Sequence, residues 1–431
     1  MSALTISNAC IVDPASGFDG IGTLRVEDGR IAAVTPGAAP AGGSGEVIDA
    51  RGLVLAPGLI DMRVFTGEPG REYRETLQSA GEAAAAGGVT SFVAMPDTLP
   101  VIDDGALVDF VLRRAQATCK VNVLPAAAIT RGLDGVEITE FGLLKESGAV
   151  CLSDGRKSIQ SNGLLRSAFT YAANFDMPVV HLPVDASLAG EGVMNEGLFA
   201  TVLGLKGIPA EAETIPLARD LQLAALTGVR YHAAQISATR SVEIMAAEKQ
   251  RNGRVSCGVS INNLSLNEND VGSYRTFFKL TPPLRSEDDR RALVDGLVAG
   301  VIDVIHSDHD PQDTEVKRQP FAEASDGAIG LETLLAAALR LVHSGDAELM
   351  TVLRAMTQRP AEILGLPSGR LAVGAPADFI LFDLDYPWVV KKAELRSRSP
   401  NTSFEGARLA GKVMATFVGG RKVYGLEGAP E

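Results

Sequence analysis

The chain has 431 residues and a formal net charge of −13 at pH 7, with a sequence pI near 5.0. A chain this acidic, without a long cluster of Lys or Arg, excludes nucleic acids and anionic membranes as expected partners, because both require a basic surface. Hydrophobic residues make up 46% of the chain and charged residues 22%, which indicates a well-packed globular protein rather than a disordered one.

The cysteines and the N-terminus indicate the cellular compartment. Cys10, Cys119, Cys151 and Cys257 lie far apart and form no C-x-x-C pair, so neither a zinc knuckle nor a disulfide framework is predicted. Residues 1–6 lack the basic and apolar regions of a signal peptide, and no apolar run approaches the roughly 18 residues that cross a bilayer. We therefore expect a cytoplasmic protein.

Short strands are predicted at both ends of the chain. They cover residues 4–12, 22–26, 30–34, 377–383, 412–418 and 422–424. Asp28-Gly29 is typical of a hairpin turn, and Gly419-Gly420 offers another. Because neither terminal segment is long enough to form a core alone, we predict one composite domain, a small β-sandwich built from residues 1–53 and 366–431.

Between these segments, apolar strands alternate with amphipathic helices. The predicted strands cover residues 54–63, 90–95, 121–127, 150–153, 178–182, 230–236, 255–259 and 303–307. The clearest helices are predicted over residues 72–86, 214–227, 330–343 and 348–364. Eight strands alternating with helices are typical of a (β/α)8 barrel. The predicted fold class is therefore α/β, with a TIM-type barrel over residues 54–365 beside the small β domain.

A barrel of this kind builds its site at the C-terminal ends of its strands. The first strand ends with Arg63 and Phe65, two residues apart, so that both side chains point the same way from an extended backbone. Neither can coordinate a metal, because the guanidinium is always protonated and the phenyl ring has no lone pair. Further polar residues at the predicted strand ends are Asp97, Asp154, His181, Gln235, Asn262, Asn263, Thr281, Asp308 and His309.

The histidines and Asp308 allow more than one interpretation. His232 is predicted to be a packed core imidazole, and His343 a helix-surface residue. His181 ends the fifth strand, where it is either a functional group or a hydrogen-bonded residue of the barrel rim. Asp308 and His309 emerge together after the eighth strand, where Asp308 is either a general base or a carboxylate satisfied by the backbone or by a cation.

An ordered set of short motifs over nearly the whole chain resembles the dihydroorotases of the bacterial cyclic-amidohydrolase type. These motifs lie at residues 56–61, 68–70, 88–90, 95–96, 192–197, 207–209, 282–285, 307–309, 330–333 and 369–374. The resemblance implies ancestry among enzymes that open or close a cyclic amide with one or two zinc ions. It also implies a ligand set of a His-x-His pair on the first strand, a carboxylate, two further histidines and a final aspartate.

Several of these implied ligand positions carry residues that do not suit zinc. The His-x-His positions are Arg63 and Phe65, and a third histidine position is Gln235. The remaining implied ligands are Asp154, His181 and Asp308. We therefore expect no metal and no cofactor, and hypothesise that Arg63 neutralises Asp154 or Asp308 in place of the metal.

The implied substrate contacts differ in the same way. The position of the arginine that holds the substrate carboxylate is Gly67, and the positions of two asparagines are Asp97 and Thr281, while His309 is retained. The expected function is that of a catalytically inactive dihydroorotase-like protein of de novo pyrimidine biosynthesis. The resemblance further implies a structural or regulatory partner of aspartate carbamoyltransferase, in a homo- or hetero-oligomer.

The alternative is a cyclic amidohydrolase with a remodelled site. It would use Asp308 as general base together with His181 or His309, with zinc as cofactor, on a dihydropyrimidine, hydantoin or allantoin ring. Residual dihydroorotase activity is a further possibility within this alternative.

Overall fold

A computed structural model of the chain describes residues 3–37 and 45–427. In chain order its strands are β1 (Leu4–Asp13), β2 (Phe18–Glu27), β3 (Arg30–Pro36), β4 (Glu46–Asp49), β5 (Val54–Pro57), β6 (Leu59–Val64), β7 (Val89–Ala94), β8 (Asn122–Ala127), β9 (Cys151–Leu152), β10 (Val179–His181), β11 (Met194–Asn195), β12 (Gly207–Ile208), β13 (Tyr231–Ala233), β14 (Val255–Ser260), β15 (Val304–His306), β16 (Phe379–Val389), β17 (Arg408–Val418) and β18 (Arg421–Gly425).

The α-helices connect the barrel strands and cover their outer face. In chain order they are α1 (Leu77–Ala86), α2 (Gly105–Thr118), α3 (Phe141–Glu146), α4 (Asn162–Ala173), α5 (Ala186–Ala189), α6 (Leu198–Leu203), α7 (Glu211–Thr227), α8 (Thr239–Lys249), α9 (Ile261–Ser265), α10 (Glu287–Val298), α11 (Thr314–Lys317), α12 (Leu334–His343), α13 (Leu349–Met356) and α14 (Gln358–Leu364). Among the described residues, none of these helices is long and apolar enough to cross a membrane.

Strands from both ends of the chain form one sheet, in the order β18-β17-β16-β5-β1-β2-β3, with β4 beside the first half of β1. Its own apolar cluster includes Ile6, Leu24, Phe379 and Phe417, and the last two rings stack with centroids 4.5 Å apart. The predicted joining of the two termini in a small β domain is confirmed. The domain bounds given from the sequence stay a prediction.

The second sheet is the predicted barrel, with eight parallel strands in the order β15-β14-β13-β10-β9-β8-β7-β6. Contacts between the two end strands bring the sheet nearly to closure. Val64 forms a bridge with His309, and the Phe65 amide donates to the His309 carbonyl at 2.9 Å. The Ser307 amide donates to the Asp61 carboxylate at 3.1 Å. The (β/α)8 class is therefore confirmed.

Two elements that the sequence pattern predicts as continuous are each divided in two in the structure. The strand over 54–63 is two strands, because the chain passes from the terminal sheet into the barrel at Gly58. A Cβ at Gly58 would lie 2.1 Å from Thr90 Oγ1, so only glycine fits this close approach. The helix over 348–364 is likewise two helices, because Thr357 has φ −134° and ψ −77° and interrupts the helical backbone.

The buried Glu75 and the partly buried Glu332 hold the segment before β17 against the barrel. Glu75 accepts a hydrogen bond from the Ser397 hydroxyl, and Glu332 accepts from the backbone amides of Arg396 at 2.7 Å and Ser397 at 3.3 Å. Burial raises the pKa of Glu332 from 4.5 to about 7, although both amides oppose the shift. The segment is thus tied to the barrel partly by a carboxyl group that titrates near neutrality.

Glu332→Gln should therefore change how stability depends on pH. A carboxyl whose pKa is raised in the folded state contributes stability that is present below the unfolded pKa, near 4.5, and is lost as pH rises through about 7. The glutamine keeps an oxygen for both amides but cannot ionise. We expect its free energy of unfolding, relative to the parent, to increase by about 2 kcal/mol between pH 5 and pH 8 in urea titrations. The same change at exposed Glu323 is the matched control, and equal pH profiles for the two variants would contradict the assignment.

Candidate functional site at the barrel mouth

Arg63 is the centre of the barrel mouth, at the C-terminal end of β6. Its side chain is buried, with 2% of the residue exposed. Its Nε donates to Asp308 Oδ1 at 2.9 Å, and its Nη1 donates to the Gly155 carbonyl at 3.3 Å. Burial raises the pKa of Asp308, and the guanidinium of Arg63 opposes that shift. The pairing expected from the sequence is thus made with Asp308.

Two guanidinium groups lie close to the Phe65 ring. The guanidinium carbon of Arg156 lies 3.7 Å from the centroid of the Phe65 ring, and that of Arg63 lies 5.1 Å away. Arg156 donates through Nε to Asp310 Oδ2 at 2.9 Å, and its Nη1 lies 3.5 Å from Asp97 Oδ2. Cation–π contact and two carboxylates therefore fix Arg156 across the opening of the barrel.

Sequence reasoning did not find Arg156 and Asp310. Each stands two residues after a predicted site residue, Asp154 and Asp308 respectively. A signal was therefore present in the spacing, because loop residues that follow a strand end reach the same mouth. Opposite charges at these two positions then predict an ion pair.

Asp154 follows β9 and is satisfied by the chain around it. Its Oδ1 accepts from the amides of Ile129 at 2.8 Å and Thr130 at 3.0 Å, and its Oδ2 accepts from Thr130 Oγ1 at 2.6 Å. Burial raises the pKa of Asp154 although these hydrogen bonds lower it. Arg63 therefore does not pair with Asp154, and its contact on this loop is the neighbouring carbonyl of Gly155.

His181 is fully buried at the end of β10, with both ring nitrogens engaged. Its Nε2 accepts from the Ile159 amide at 3.0 Å, which assigns the proton to Nδ1. Nδ1 lies 2.7 Å from Asp220 Oδ2, which also accepts from the Tyr231 hydroxyl at 3.0 Å. His181 therefore has the structural role of a hydrogen-bonded rim residue.

Gln235 and Thr281 hydrogen-bond to residues other than Arg63 and Asp308. Gln235 Nε2 donates to Asn263 Oδ1 at 3.1 Å, and its Oε1 is buried without a hydrogen bond among the described residues. Thr281 Oγ1 donates to Asp326 Oδ2 at 2.5 Å. These two predicted pocket residues are thus held by separate partners.

His309 lies outside the open part of the mouth. It is fully buried, its Nδ1 accepts from the Gly330 amide at 3.3 Å, and its Nε2 lies 3.4 Å from Glu75 Oε2. Burial raises the pKa of Glu75, but hydrogen bonds from His309, Ser397 and Ser79 outweigh it, so the pKa is lowered. His309 is thus positioned to support the buried Glu75.

Two other histidines agree with their predicted places. His232 is a core residue with 1% exposure, and its Nδ1 lies 2.9 Å from Ser256 Oγ. His343 is partly exposed on α12, with its Nε2 3.1 Å from the Leu384 carbonyl.

The packed side chains leave little open volume beside Phe65. A cavity there measures about 10 Å³, which holds about one water molecule. It is lined by Phe65, Gly67, Arg71, Arg74, Asp97, Arg156, Asp310 and Pro311. This cavity does not offer space for a ring amide.

The donor set at the mouth does not fit zinc. Arg63 brings a fixed positive charge to the first-strand position and engages Asp308, while Phe65 has no lone pair to donate. Asp154 and His181 already accept hydrogen bonds from amide and hydroxyl groups of the chain. Across residues 3–37 and 45–427, no three His, Cys, Asp or Glu side chains are grouped as metal ligands. The mismatch between this donor set and zinc follows from the residue types and from the hydrogen bonds that they make.

A (β/α)8 barrel joined to a β domain from both termini defines the amidohydrolase type of protein. Comparisons agree: a family model described as Dihydro-orotase-like matches residues 52–241, and one described as Amidohydrolase family matches residues 300–424. Proteins named dihydroorotase from Anaeromyxobacter sp. (strain K) and Pelobacter propionicus are 42% and 43% identical to this chain. Each match covers 98% of this chain and 98% or 99% of the relative. The chain belongs to the dihydroorotase family of the cyclic amidohydrolase superfamily.

Solved structures resemble the chain over nearly its full length. An L-hydantoinase (dihydropyrimidinase) from Arthrobacter aurescens has a TM-score of 0.88 at 24% identity, covering 98% of this chain and 96% of its own. A dihydropyrimidinase from Brevibacillus agri NCHU1002 has a TM-score of 0.84 at 19% identity, covering 97% and 94%. At these identities the likeness establishes the fold.

Proposed function

We propose that this chain is a non-catalytic dihydroorotase-like protein. The observation that carries the proposal is the buried pair of Arg63 and Asp308 at the centre of the mouth. In metal-dependent hydrolysis of an amide, a bound metal lowers the pKa of water to about 7 and polarises the carbonyl group. A guanidinium cannot replace the first of these effects, because it binds no water as a ligand and cannot accept a proton at neutral pH.

The loop after β6 supports the same proposal. Gly67 has φ +74°, and a Cβ there would lie 2.8 Å from the Arg71 carbonyl oxygen. An arginine that would hold a substrate carboxylate therefore does not fit this backbone. Asp97 adds a negative charge that is already paired with Arg156. Two positions at which the resemblance implies carboxylate anchors, Gly67 and Asp97, thus provide none, and Arg63 provides no means of activating water.

A partner role gives such a protein its function, and we include one in the proposal. The partner is aspartate carbamoyltransferase, for which the barrel acts as a structural or regulatory subunit in pyrimidine biosynthesis. Similarity to dihydroorotases over 98% of the chain supports a retained scaffold, while the rebuilt mouth supports a role that does not depend on turnover. The proposed complex is a hetero-oligomer of the two chains.

The names of the relatives favour a second candidate, hydrolysis or closure of a cyclic amide. It would use Asp308 as general base, and the raised pKa of that carboxyl is the feature that suits the role. This second candidate requires that Asp308 break its ion pair with Arg63 and contact a substrate instead. Zinc would have to be accommodated by Asp154, His181 and Asp308.

Three measurements on the purified protein test the proposal. From zinc-supplemented cells, without chelator, we expect less than about 0.1 equivalent of zinc by plasma mass spectrometry and no turnover of dihydroorotate or hydantoin above buffer. On co-expression with the aspartate carbamoyltransferase of the same organism, we expect the two chains to elute together in size-exclusion chromatography. A relative named dihydroorotase, purified in parallel, is the positive control for metal and turnover.

The outcomes separate the two parts of the proposal. About one equivalent of zinc together with turnover would favour the second candidate. Separate elution, with unchanged transferase kinetics, would remove the partner role while leaving the catalytic part intact.

A further inference from the structure

A cavity of about 290 Å³ opens at the N-terminal ends of β13 and β14, the end of the barrel opposite the mouth. Three arginines line it, Arg230, Arg254 and Arg359, against one acidic residue, Glu362. In a chain with a net charge of −13, a cavity with this excess of guanidinium groups is unusual. Its charge favours an anionic ligand.

The topology explains why the arginines meet. Arg230 directly precedes β13 and Arg254 directly precedes β14, and these neighbouring strands are parallel with Tyr231 opposite Val255. The two arginines therefore stand side by side at the strand starts, where the Tyr231 amide donates to the Arg254 carbonyl at 3.0 Å. Arg359, on α14, completes the group from the other side of the cavity.

An exposed carboxylate already bridges two of these guanidinium groups. Asp176 Oδ1 lies 2.5 Å from Arg254 Nη2, and its Oδ2 lies 3.6 Å from Arg230 Nη1. The Asp176 side chain is 64% exposed, so the pair is weak and screened by solvent. A stronger anion from solution could therefore replace this carboxylate without leaving a buried charge behind.

The other charges around the cavity are held more firmly. Arg359 donates to the buried Asp303 at 2.6 Å and lies 2.5 Å from Glu362. Lys249 also pairs with Asp303, at 2.8 Å. Asp303 is thus satisfied by two cations, and the positive potential of this end of the barrel is maintained when Asp176 moves away.

The inner wall is polar and incompletely paired. His232, with 1% exposure, lines the cavity, while its Nε2, which has no hydrogen-bond partner among the described residues, lies toward Gly258 inside the barrel. Its Nδ1 lies 2.9 Å from the Ser256 hydroxyl, which also lines the cavity. Burial lowers the pKa of His232 to about 4, so the imidazole is neutral at pH 7. The wall therefore adds neutral hydrogen-bonding groups to the cationic rim.

We propose that this cavity binds the phosphoryl group of a small phosphorylated metabolite, with Arg254 donating to its oxygens in place of Asp176. Arg230, whose Nη1 and Nη2 donate to the backbone carbonyls of Asp176 and Ile363, adds its positive charge. A phosphate monoester carries about −1.5 to −2 charges and three acceptor oxygens, against the one charge and two oxygens of a carboxylate, and therefore suits several guanidinium groups better. The volume of about 290 Å³ is at the lower end of small-molecule sites. The inference is independent of the chemistry at the mouth.

Isothermal titration calorimetry at fixed ionic strength tests the proposal with inorganic phosphate, glucose 6-phosphate and acetate. We expect one saturable site for the phosphoryl compounds in the parent. Arg254→Gln should weaken phosphate binding by about tenfold or more, because it removes a charge-assisted hydrogen bond. Arg251→Gln is the matched control, since this exposed arginine lies three residues away and gives the same net charge. Asp176→Asn should tighten binding by about threefold or more, because the competing carboxylate is gone.

Several results would overturn the proposed phosphoryl site. Absence of saturable binding of both phosphoryl compounds would do so, and so would equal weakening in Arg254→Gln and Arg251→Gln, which would show a general charge effect. Acetate binding as tight as phosphate would reject the phosphoryl class. If Arg254→Gln does not fold, the Asp176→Asn variant tests the proposal by itself. An unchanged or weaker affinity for phosphate in that variant would contradict the proposed site. A preference for glucose 6-phosphate over inorganic phosphate would support the organic ester as the source.

Discussion

Arg63→Met is expected to lower the free energy of unfolding by about 3–5 kcal/mol, the largest effect of any single change at the mouth. The substitution leaves Asp308, with 7% exposure, without its charged partner and close enough to Asp310 for the two carboxylates to repel. It also removes the hydrogen bond to the Gly155 carbonyl. Urea denaturation followed by circular dichroism at pH 7.5 measures the change. Because an unpaired Asp308 can take up a proton, the deficit should shrink as pH is lowered toward 5.

Two controls help to interpret the stability change in Arg63→Met. The double variant Arg63→Met/Asp308→Leu removes both charges and should recover most of the lost stability, because a buried pair is often replaced by apolar groups at little cost. Arg240→Met breaks an exposed pair with Glu243, 2.6 Å apart, and should cost less than about 0.5 kcal/mol. A loss below about 1 kcal/mol in Arg63→Met would show that Asp308 is not an obligate partner of the guanidinium.

A second large effect is expected from Arg63→His, Phe65→His and Gln235→His made together. Three imidazoles would then join Asp308, which is released from its ion pair, and this donor set is one that zinc prefers. We expect the zinc content to rise from less than about 0.1 to about one equivalent per chain. Plasma mass spectrometry after dialysis, without chelator, measures it.

The control for this variant is a triple change to Met, Leu and Leu at the same positions, which disturbs the packing equally but adds no ligand. An unchanged metal content in the histidine variant would mean that these positions do not correspond to a metal site. Hydrolysis of dihydroorotate is expected to stay absent in either case. Gly67, Asp97 and Thr281 still provide no anchor for a carboxylate, and Arg156 still lies across the opening.

The barrel strands were predictable because each is a short apolar run of β-forming residues between turn signals. The break at Gly58 was not, since the run from Leu53 to Met62 is apolar on both sides and only the approach of Thr90 requires the glycine. The interruption at Thr357 was hidden for the same reason, because the helical pattern continues through it. Local periodicity reports which residues are buried, but not where tertiary contacts divide an element.

At the candidate site, too, residue positions could be predicted from the local sequence, whereas tertiary contacts could not. Arg63 and Phe65 could be placed at the mouth from their position on one strand, and the loss of metal donors followed from residue type alone. Which carboxylate Arg63 would meet could not be decided, because Asp154 and Asp308 come from different strands. Glu75 as the neighbour of His309 was missed altogether, since more than two hundred residues separate them in the sequence.

The closure of the mouth by Arg63, Arg156 and their carboxylates has a consequence for the life of the protein in the cell. Every group that holds the opening shut is part of the polypeptide itself and is present from the moment of synthesis. Under the proposed function, newly made chains would fold without competing with other proteins for zinc. The folded population of this chain would then keep pace with its translation during zinc starvation.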